Sequence, residues 1–212
     1  YLGDALNEAH SQPESTLIAK IATMIETGEL DHDESVSILL QLVVAGSDST
    51  ASLLGAMAHR LALSDELQDK LRAEPALRQA LIDEVLRIDS PFQGHFRVLT
   101  QDAVVGGVAM SAGTRLMLHW GAANRDTTLF EQPDEVRTTR ADLKRHLAFG
   151  YGIHRCIGAN LAQLEAELTL TLLLETMPKL RLAAGCIPQT KPSVFTKRLE
   201  RLELVFESTP CL

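Results

Sequence analysis

Ten residues, Phe149-Gly150-Tyr151-Gly152-Ile153-His154-Arg155-Cys156-Ile157-Gly158, carry the strongest chemical signal in the sequence. A helix is predicted to follow over about 157–176. Cys156 then stands beside a helix N-terminus, where unpaired N–H groups and the helix dipole favour a thiolate. Gly150, Gly152 and Gly158 let the backbone approach a large group and aim N–H donors at the sulfur. A thiolate so placed, with no second Cys or His ligand beside it, suits a single axial bond to a heme iron. The alternative for an isolated cysteine is a buried structural residue in a Gly-rich turn. The other cysteines, Cys186 and Cys211, bring the total to three at no metal-knuckle spacing, which excludes a zinc site built on C-x-x-C pairs.

Two further constellations stand earlier in the chain. Glu84-Val85-Leu86-Arg87 lies in a helix predicted over about 75–89, with Leu77, Leu81, Val85 and Leu86 on its apolar stripe and Pro91 just beyond its end. Alone, an i,i+3 Glu/Arg pair is an ordinary solvated helix feature worth a few tenths of a kcal/mol. Ala45-Gly46-Ser47-Asp48-Ser49-Thr50 interrupts a helix predicted over about 32–63, which opens on a capping-box-like Asp31 to Glu34. Gly, Ser, Asp and Thr are weak helix formers, so this run marks either a break or a place where the backbone is used.

The elements that must position these groups read as mainly α with small β-sheets, in one domain spanning 1–212. Leu17, Ile18, Ile21, Met24 and Ile25 share one face of a helix predicted over 14–27 and closed by Gly28, and Ser64 can cap another helix. Short strands are predicted at 96–99 and 103–105, the latter followed by a Gly106-Gly107 hairpin signal. Thr114 to Trp120 reads as a strand or a helix start, 121–148 as an irregular loop, and 179–207 as short strands.

The chain has 212 residues, 45% hydrophobic and 23% charged, as in an ordinary globular protein. Its 20 basic and 28 acidic residues give a net charge of −8, which argues against a large nucleic-acid footprint. No uninterrupted apolar run approaches the ~18 residues of a membrane span, and no basic-then-apolar leader opens the chain. The expectation is a cytoplasmic protein with no membrane and no nucleic acid among its partners.

FGYGIHRCIG fits the F-G-x-G-x-H-x-C-x-G signature of the cytochrome P-450 family. Six fixed positions at background frequency give a chance match on the order of 10⁻⁸ per start. The other constellations fall in family order: Glu84 and Arg87 match the E-x-x-R helix, and Ala45 to Thr50 resembles the A-G-x-[DE]-T-[TS] oxygen-binding groove. The resemblance runs from about residue 14 to the end and covers the C-terminal portion of the family fold. Complete members are roughly twice as long, so a truncated or partial chain is expected, with an apolar face of the long helix left open to self-association.

The resemblance implies a heme-thiolate monooxygenase that uses O2 and two electrons from a ferredoxin or flavodoxin-type donor to hydroxylate a small apolar organic substrate. It implies heme b (iron protoporphyrin IX) on Cys156, contacted by Phe149, Gly150, Gly158, Ala45 and Gly46, with Arg97 and His154 at the propionates. Asp48 matches the acid and Ser49 the alcohol of the proton relay, with Thr50 following and Ser49 standing where Thr is usual. Glu84 and Arg87 become a structural ion pair whose third partner usually comes from a P-x-R-x-type stretch. Here that stretch reads Pro133-Asp134-Glu135-Val136, and Arg125, Arg137 and Arg140 are the alternatives. Phe92, His95 and Phe195 are implied at the substrate pocket, and Lys144, Arg145 and Arg155 at the donor-docking face. Two other readings stand beside this one: a non-oxygenating heme-thiolate sensor, and a heme-free inactive fragment or interaction module.

Overall fold

The computed structural model describes residues 1–9 and 16–207. Cys211 and the first residues of the helix predicted from 14 lie outside them. The chain divides into two compact units, Tyr1–Asp48 and Ser49–Leu212.

The first unit holds α1 (Leu2–Glu8), α2 (Leu17–Glu26) and the opening half of α3 (His32–Ala62). Thr16 caps α2 by accepting the Ala19 N–H at 3.2 Å, and Gly28 ends the segment at φ 74°. The capping box at α3 is reciprocal: Glu34 N–H donates to Asp31 at 2.7 Å and Asp31 N–H to Glu34 at 3.0 Å. Leu6, Ala9, Ile21, Ala22 and Leu39 form the core, flanked by Ile18 and Ile25, whereas Leu17 faces solvent. Helix α1 was not expected, because seven residues offer too little periodicity to read.

Helix α3 runs unbroken through Ala45 to Thr50, which excludes the break. Ser47 turns its hydroxyl back onto the Val43 carbonyl at 2.6 Å, so its polarity is absorbed within the helix. By length and composition α3 is the one helix among the described residues that could cross a membrane, a test that core helices also pass.

The second unit adds α4 (Asp65–Ala73), capped by Ser64 at 3.1 Å, and α5 (Arg78–Ile88). The residues expected to open α5 form a separate 3₁₀ turn, Pro75–Leu77. Four antiparallel strand pairs follow among the described residues. β1 (His95–Val98) pairs with β4 (Arg115–Leu118), and β2 (Ala103–Val105) with β3 (Val108–Met110). β5 (Arg181–Leu182) pairs with β8 (Leu204–Val205), and β6 (Gln189–Thr190) with β7 (Leu199–Arg201). Gly106 and Gly107, at φ 57° and 83°, make the left-handed hairpin turn that their sequence signals. Thr114 to Trp120 turns out to hold both readings, strand β4 and then the start of α6 (Trp120–Ala123). From there to Ala148 the chain is irregular apart from a 3₁₀ turn at Leu143–Arg145.

The core of this unit joins Leu53, Met57 and Leu61 of α3 to Leu81, Val85 and Leu86 of α5 and to Ala166, Leu170 and Leu174 of α7 (Ala159–Thr176). Gln68, on the buried face of α4, closes it against the tail by donating to Leu61 and Leu180 carbonyls at 2.9 and 2.8 Å and accepting the Leu180 N–H at 3.0 Å.

Candidate active site

The site is built outward from α5. Glu84 and Arg87 stand one turn apart, and both side chains are 0% exposed. A buried pair persists only when its remaining donors and acceptors are met. Arg87 binds Glu84 in a fork at 2.7 and 3.1 Å and donates to the carbonyls of Asn124, Pro133 and Glu135 at 2.9, 2.7 and 3.3 Å. The Phe130 ring lies 5.0 Å from its guanidinium carbon, a cation–π contact. Glu84 in turn accepts Arg140 Nε at 3.1 Å and the Arg137 backbone N–H at 2.8 Å. The choice among three arginines is therefore resolved: Arg140 is the second cation, Arg137 serves through its main chain, and Arg125 pairs with Asp134 at 2.8 Å.

Three residues in this region escaped the sequence reading. Asn124, wholly buried, accepts the Leu147 N–H at 2.6 Å and donates to Ser90 Oγ at 2.9 Å. His146 Nδ1 accepts the Ala148 N–H at 3.2 Å, and its Nε2 lies 3.8 Å from Asp83 Oδ1. Asp83 also accepts Gln79 and Gln163, each at 3.3 Å. An Asn inside turn material carries no periodic signal. Asp83 was the one readable hint, an acid beside Glu84 on a helix whose neighbours are apolar.

The cysteine turn follows directly. Gly150 and Gly152 adopt φ 68° and 75°, in the left-handed region. Backbone bonds from Gly150 to Leu147 (2.9 Å), Arg155 to Gly152 (3.0 Å) and Cys156 to Phe149 (2.9 Å) close it. Phe149 is drawn inward against the core and His146, with ring centroids 6.0 Å apart, while Cys156 is exposed. Exposure excludes the buried structural cysteine. The flanking Tyr151, Ile153 and Ile157 are 83, 97 and 94% exposed, an unusual run of apolar side chains in solvent. Helix α7 starts only at Ala159 with Gly158 as its N-cap. Sγ accepts no hydrogen bond among the described residues, so the expected N–H donors are not aimed at sulfur here.

The other predicted residues fall into separate groups. Phe92 and His95 have ring centroids 5.3 Å apart, and Phe96 meets Phe195 edge-on at 5.5 Å. The Phe195 segment is tied to this cluster by the Phe92–Thr196 bridge and by Gln93 N–H to the Phe195 carbonyl at 2.7 Å. His95 Nδ1 accepts the Trp120 indole N–H at 2.8 Å. Burial, and then the Arg97 charge, lower its pKa below the ordinary histidine value. Arg97 is exposed on β1 and donates to the Phe96 carbonyl at 2.7 Å; His154 is exposed at the end of a 3₁₀ turn. On α3, Ala45, Gly46 and Asp48 are exposed, Ser49 is half-buried, and Thr50 donates to Glu165 of α7 at 3.3 Å. Nothing lies within 4 Å of where a Cβ on Gly46 would stand. Lys144, Arg145 and Arg155 are exposed, with Arg145 3.5 Å from Asp142.

Beside the aromatic cluster, Asp89 closes the end of α5. It accepts Arg60 Nε and NH2 at 2.7 and 3.1 Å and Lys197 Nζ at 2.6 Å. Burial opposes ionisation of this carboxyl, but the two cations more than offset that and hold its pKa below the usual carboxylate range.

The donor set tests whether heme fits. Among the described residues no group of three or more His, Cys, Asp and Glu side chains converges on a metal position. A bare ion has no cage, whereas one exposed sulfur within an apolar, exposed rim suits a single axial ligand to a large flat cofactor.

A family model described as "Cytochrome P450" matches residues 4–178. "Cytochrome P450 144" of Mycobacterium tuberculosis is 39% identical over 98% of this chain and 47% of its own length. "Biotin biosynthesis cytochrome P450" of Bacillus subtilis is 33% identical over 98% of the chain and 52% of its own length. Among solved structures, P450BioI in complex with hexadec-9Z-enoic acid ligated acyl carrier protein superposes with a TM-score of 0.88 at 32% identity, covering 98% of this chain and 53% of that one. CYP109E1 from Bacillus megaterium in complex with testosterone gives 0.90 at 28%, covering 99% and 58%. The chain belongs to the cytochrome P-450 family, a family of heme enzymes, and has its mainly α fold with small sheets. It spans about half the length of the curated relatives it matches.

Proposed function

We propose that residues 1–212 are the C-terminal part of a heme-thiolate monooxygenase domain that hydroxylates a small apolar organic substrate. The observation that carries this is Cys156, exposed at the end of a turn that Gly150 and Gly152 shape and whose first residue, Leu147, is bonded to Asn124, itself bonded to the buried Arg87. Heme b, when bound, supplies the activation of O2 and the insertion of oxygen into a C–H bond.

The chain's residues then divide the remaining work. Cys156 sulfur would hold the iron as thiolate. Arg97 and His154 would donate hydrogen bonds to the propionates; Phe149, Gly150 and Gly158 in the cysteine turn would meet the porphyrin, and Ala45 and Gly46 on α3 are each a further candidate contact. Asp48 Oδ and Ser49 Oγ hold and pass protons, with Thr50 next in the run. Serine keeps the hydroxyl of the usual threonine but not the methyl that narrows its rotamers. The aromatic cluster of Phe92, His95 and Phe195 presents apolar surface to substrate, which the testosterone and fatty-acyl ligands named for the two structural relatives support.

Lys144, Arg145 and Arg155 supply positive charge for a ferredoxin or flavodoxin-type electron donor, which steers encounter more than it adds affinity. A cytoplasmic location without membrane contact is supported by the bacterial relatives and by the polar Ser47 to Thr50 run, costly in a bilayer. Exposed Leu40, Val43 and Val44 on α3 favour self-association of the isolated chain, which sedimentation measures directly.

The test is a reduced, carbon-monoxide difference spectrum of the purified chain with added heme. A red-shifted Soret band that disappears in Cys156→Ser is the expected result. Heme bound without that band overturns thiolate ligation, and no heme at all leaves the chain a heme-free module. Asp48→Asn separates the relay from a sensor or peroxide-driven protein: oxygen-dependent turnover should fall sharply while peroxide-driven turnover holds.

A further inference from the structure

We propose that Asn124 is a positioning residue for Cys156: its main-chain carbonyl is bonded by Arg87 of the buried ion pair, and its side-chain amide joins Ser90, at the end of α5, to the turn that presents the sulfur. The proposal rests on the reading of Cys156 as the heme ligand, and its first measurement needs no heme.

Asn124 is tied at every polar atom. Its carbonyl accepts Arg87 NH1 at 2.9 Å, and its backbone N–H donates to the Trp120 carbonyl at 2.9 Å, which sets the main chain relative to both α5 and α6. Its side-chain Nδ2 donates to Ser90 Oγ at 2.9 Å, and Ser90 Oγ donates on to the Leu86 carbonyl at 2.7 Å, in the last turn of α5. Its Oδ1 accepts the Leu147 N–H at 2.6 Å, the shortest of these bonds. An N–H must meet the oxygen, so the network assigns the amide's orientation. Asn124 and Ser90 are both 0% exposed, so water offers no substitute partner.

Leu147 is where the cysteine turn begins. Its carbonyl accepts the Gly150 N–H at 2.9 Å, and two residues on the Phe149 carbonyl accepts the Cys156 N–H at 2.9 Å. Residues 151–157 are all exposed, so no core packing holds them. The turn is fixed at its inner end by the Asn124–Leu147 bond, with the local His146–Ala148 bond beside it, and at its outer end where Ala159, the first residue of α7, is buried. Only asparagine has this length with an acceptor on one side and a donor on the other; leucine has the shape and neither group, and aspartate keeps the acceptor alone.

The experiment is hydrogen exchange resolved at single amides in the unliganded chain, repeated as a carbon-monoxide spectrum after adding heme. Asn124→Leu should speed exchange at Leu147 and Cys156 by tenfold or more, while amides around Leu170 in α7 keep wild-type rates. Asn124→Asp, which retains the acceptor, should keep Cys156 within about threefold of wild type. Ser90→Ala removes the other partner and should loosen the end of α5 without loosening Cys156. With heme, Asn124→Leu should lose part of the red-shifted band and Asn124→Asp should recover it. If Asn124→Leu does not fold, Asn124→Ser, too short to reach Leu147, gives the same loosening in a milder background. Unchanged Cys156 exchange in Asn124→Leu or Asn124→Ser overturns the proposal. Ser90→Ala loosening Cys156 equally overturns it too, since the role would then be general packing. A wild-type chain that protects the Cys156 amide yet binds no heme defeats the functional reading and leaves the Asn124 link standing.

Discussion

Glu84, Arg87 and Asn124 are sealed from solvent, while Tyr151, Ile153, Cys156 and Ile157 stand in it, although one hydrogen-bonded path joins the two regions. The usual distribution is inverted: the charged and polar groups are inside and the isoleucines outside. The buried region is stable because each charge is met by several partners, so removing one leaves others stranded. The cysteine turn has almost no core beneath its tip. Its shape comes from left-handed glycines and backbone bonds, so its side chains are free to serve a ligand.

The sharpest way to break this comparison is to cut one side chain in each region. Arg87→Ala leaves buried Glu84 with Arg140 as its one cation beside the Arg137 N–H and should cost about 3–5 kcal/mol, whereas Ile153→Ser and Ile157→Ser should stay within about 0.5 kcal/mol. Urea unfolding followed by circular dichroism measures both, and equal losses would end the distinction. Leu170→Ala, in the core beneath, should cost about 2–5 kcal/mol in the same assay. In the turn itself, Gly150→Ala meets no atom closer than the His154 carbonyl at 3.7 Å, so its cost is backbone strain alone, about 1–2 kcal/mol. A loss as large as that of Leu170→Ala would mean that the turn is packed after all.

Two titrations give smaller effects. Asp89 is held below its unfolded pKa, so its pairing with Arg60 and Lys197 stabilises the fold fully above about pH 4 and is lost as pH falls through the folded value. The urea midpoint should drop more steeply below pH 4 in wild type than in Asp89→Asn. His95 is also lowered, but for a base the sign differs. The folded state binds this proton more weakly than the unfolded state, so stability declines as pH falls from about 6.5 toward the folded value. His95→Gln, which retains an acceptor for Trp120, should flatten that slope, and a histidine NMR titration reads the pKa directly.

Much of the scaffold was legible because its signals are local. Asp31 and Glu34 mark the start of α3 within four residues, Ser64 caps its helix, and Gly106-Gly107 makes its hairpin. Proline at 75 was visible as the division between two helices, but it opens a 3₁₀ turn, Pro75–Leu77, rather than α5 itself. The polar run in α3 left a break and a place where the backbone is used as alternatives, and the helix runs through it unbroken, with the Ser47 hydroxyl satisfied inside the helix.

The sequence alone determined the family and the Glu84–Arg87 spacing, and it singled out Cys156 and the Asp48-Ser49 run as candidates, because each is a pattern of near neighbours that can be read along the chain. Tertiary structure alone decided that Arg140 rather than Arg125 or Arg137 supplies the second cation, that Asn124 joins α5 to the cysteine turn, and that Cys156 faces outward. Those outcomes turn on partners 37 to 56 residues apart for Arg87 with Asn124 and Glu84 with Arg140, and on burial. Several arginines of like charge lie within reach along the chain. Only the closed fold leaves one with its guanidinium against Glu84 and its remaining donors satisfied by the carbonyls of Glu131, Gln132 and Glu135.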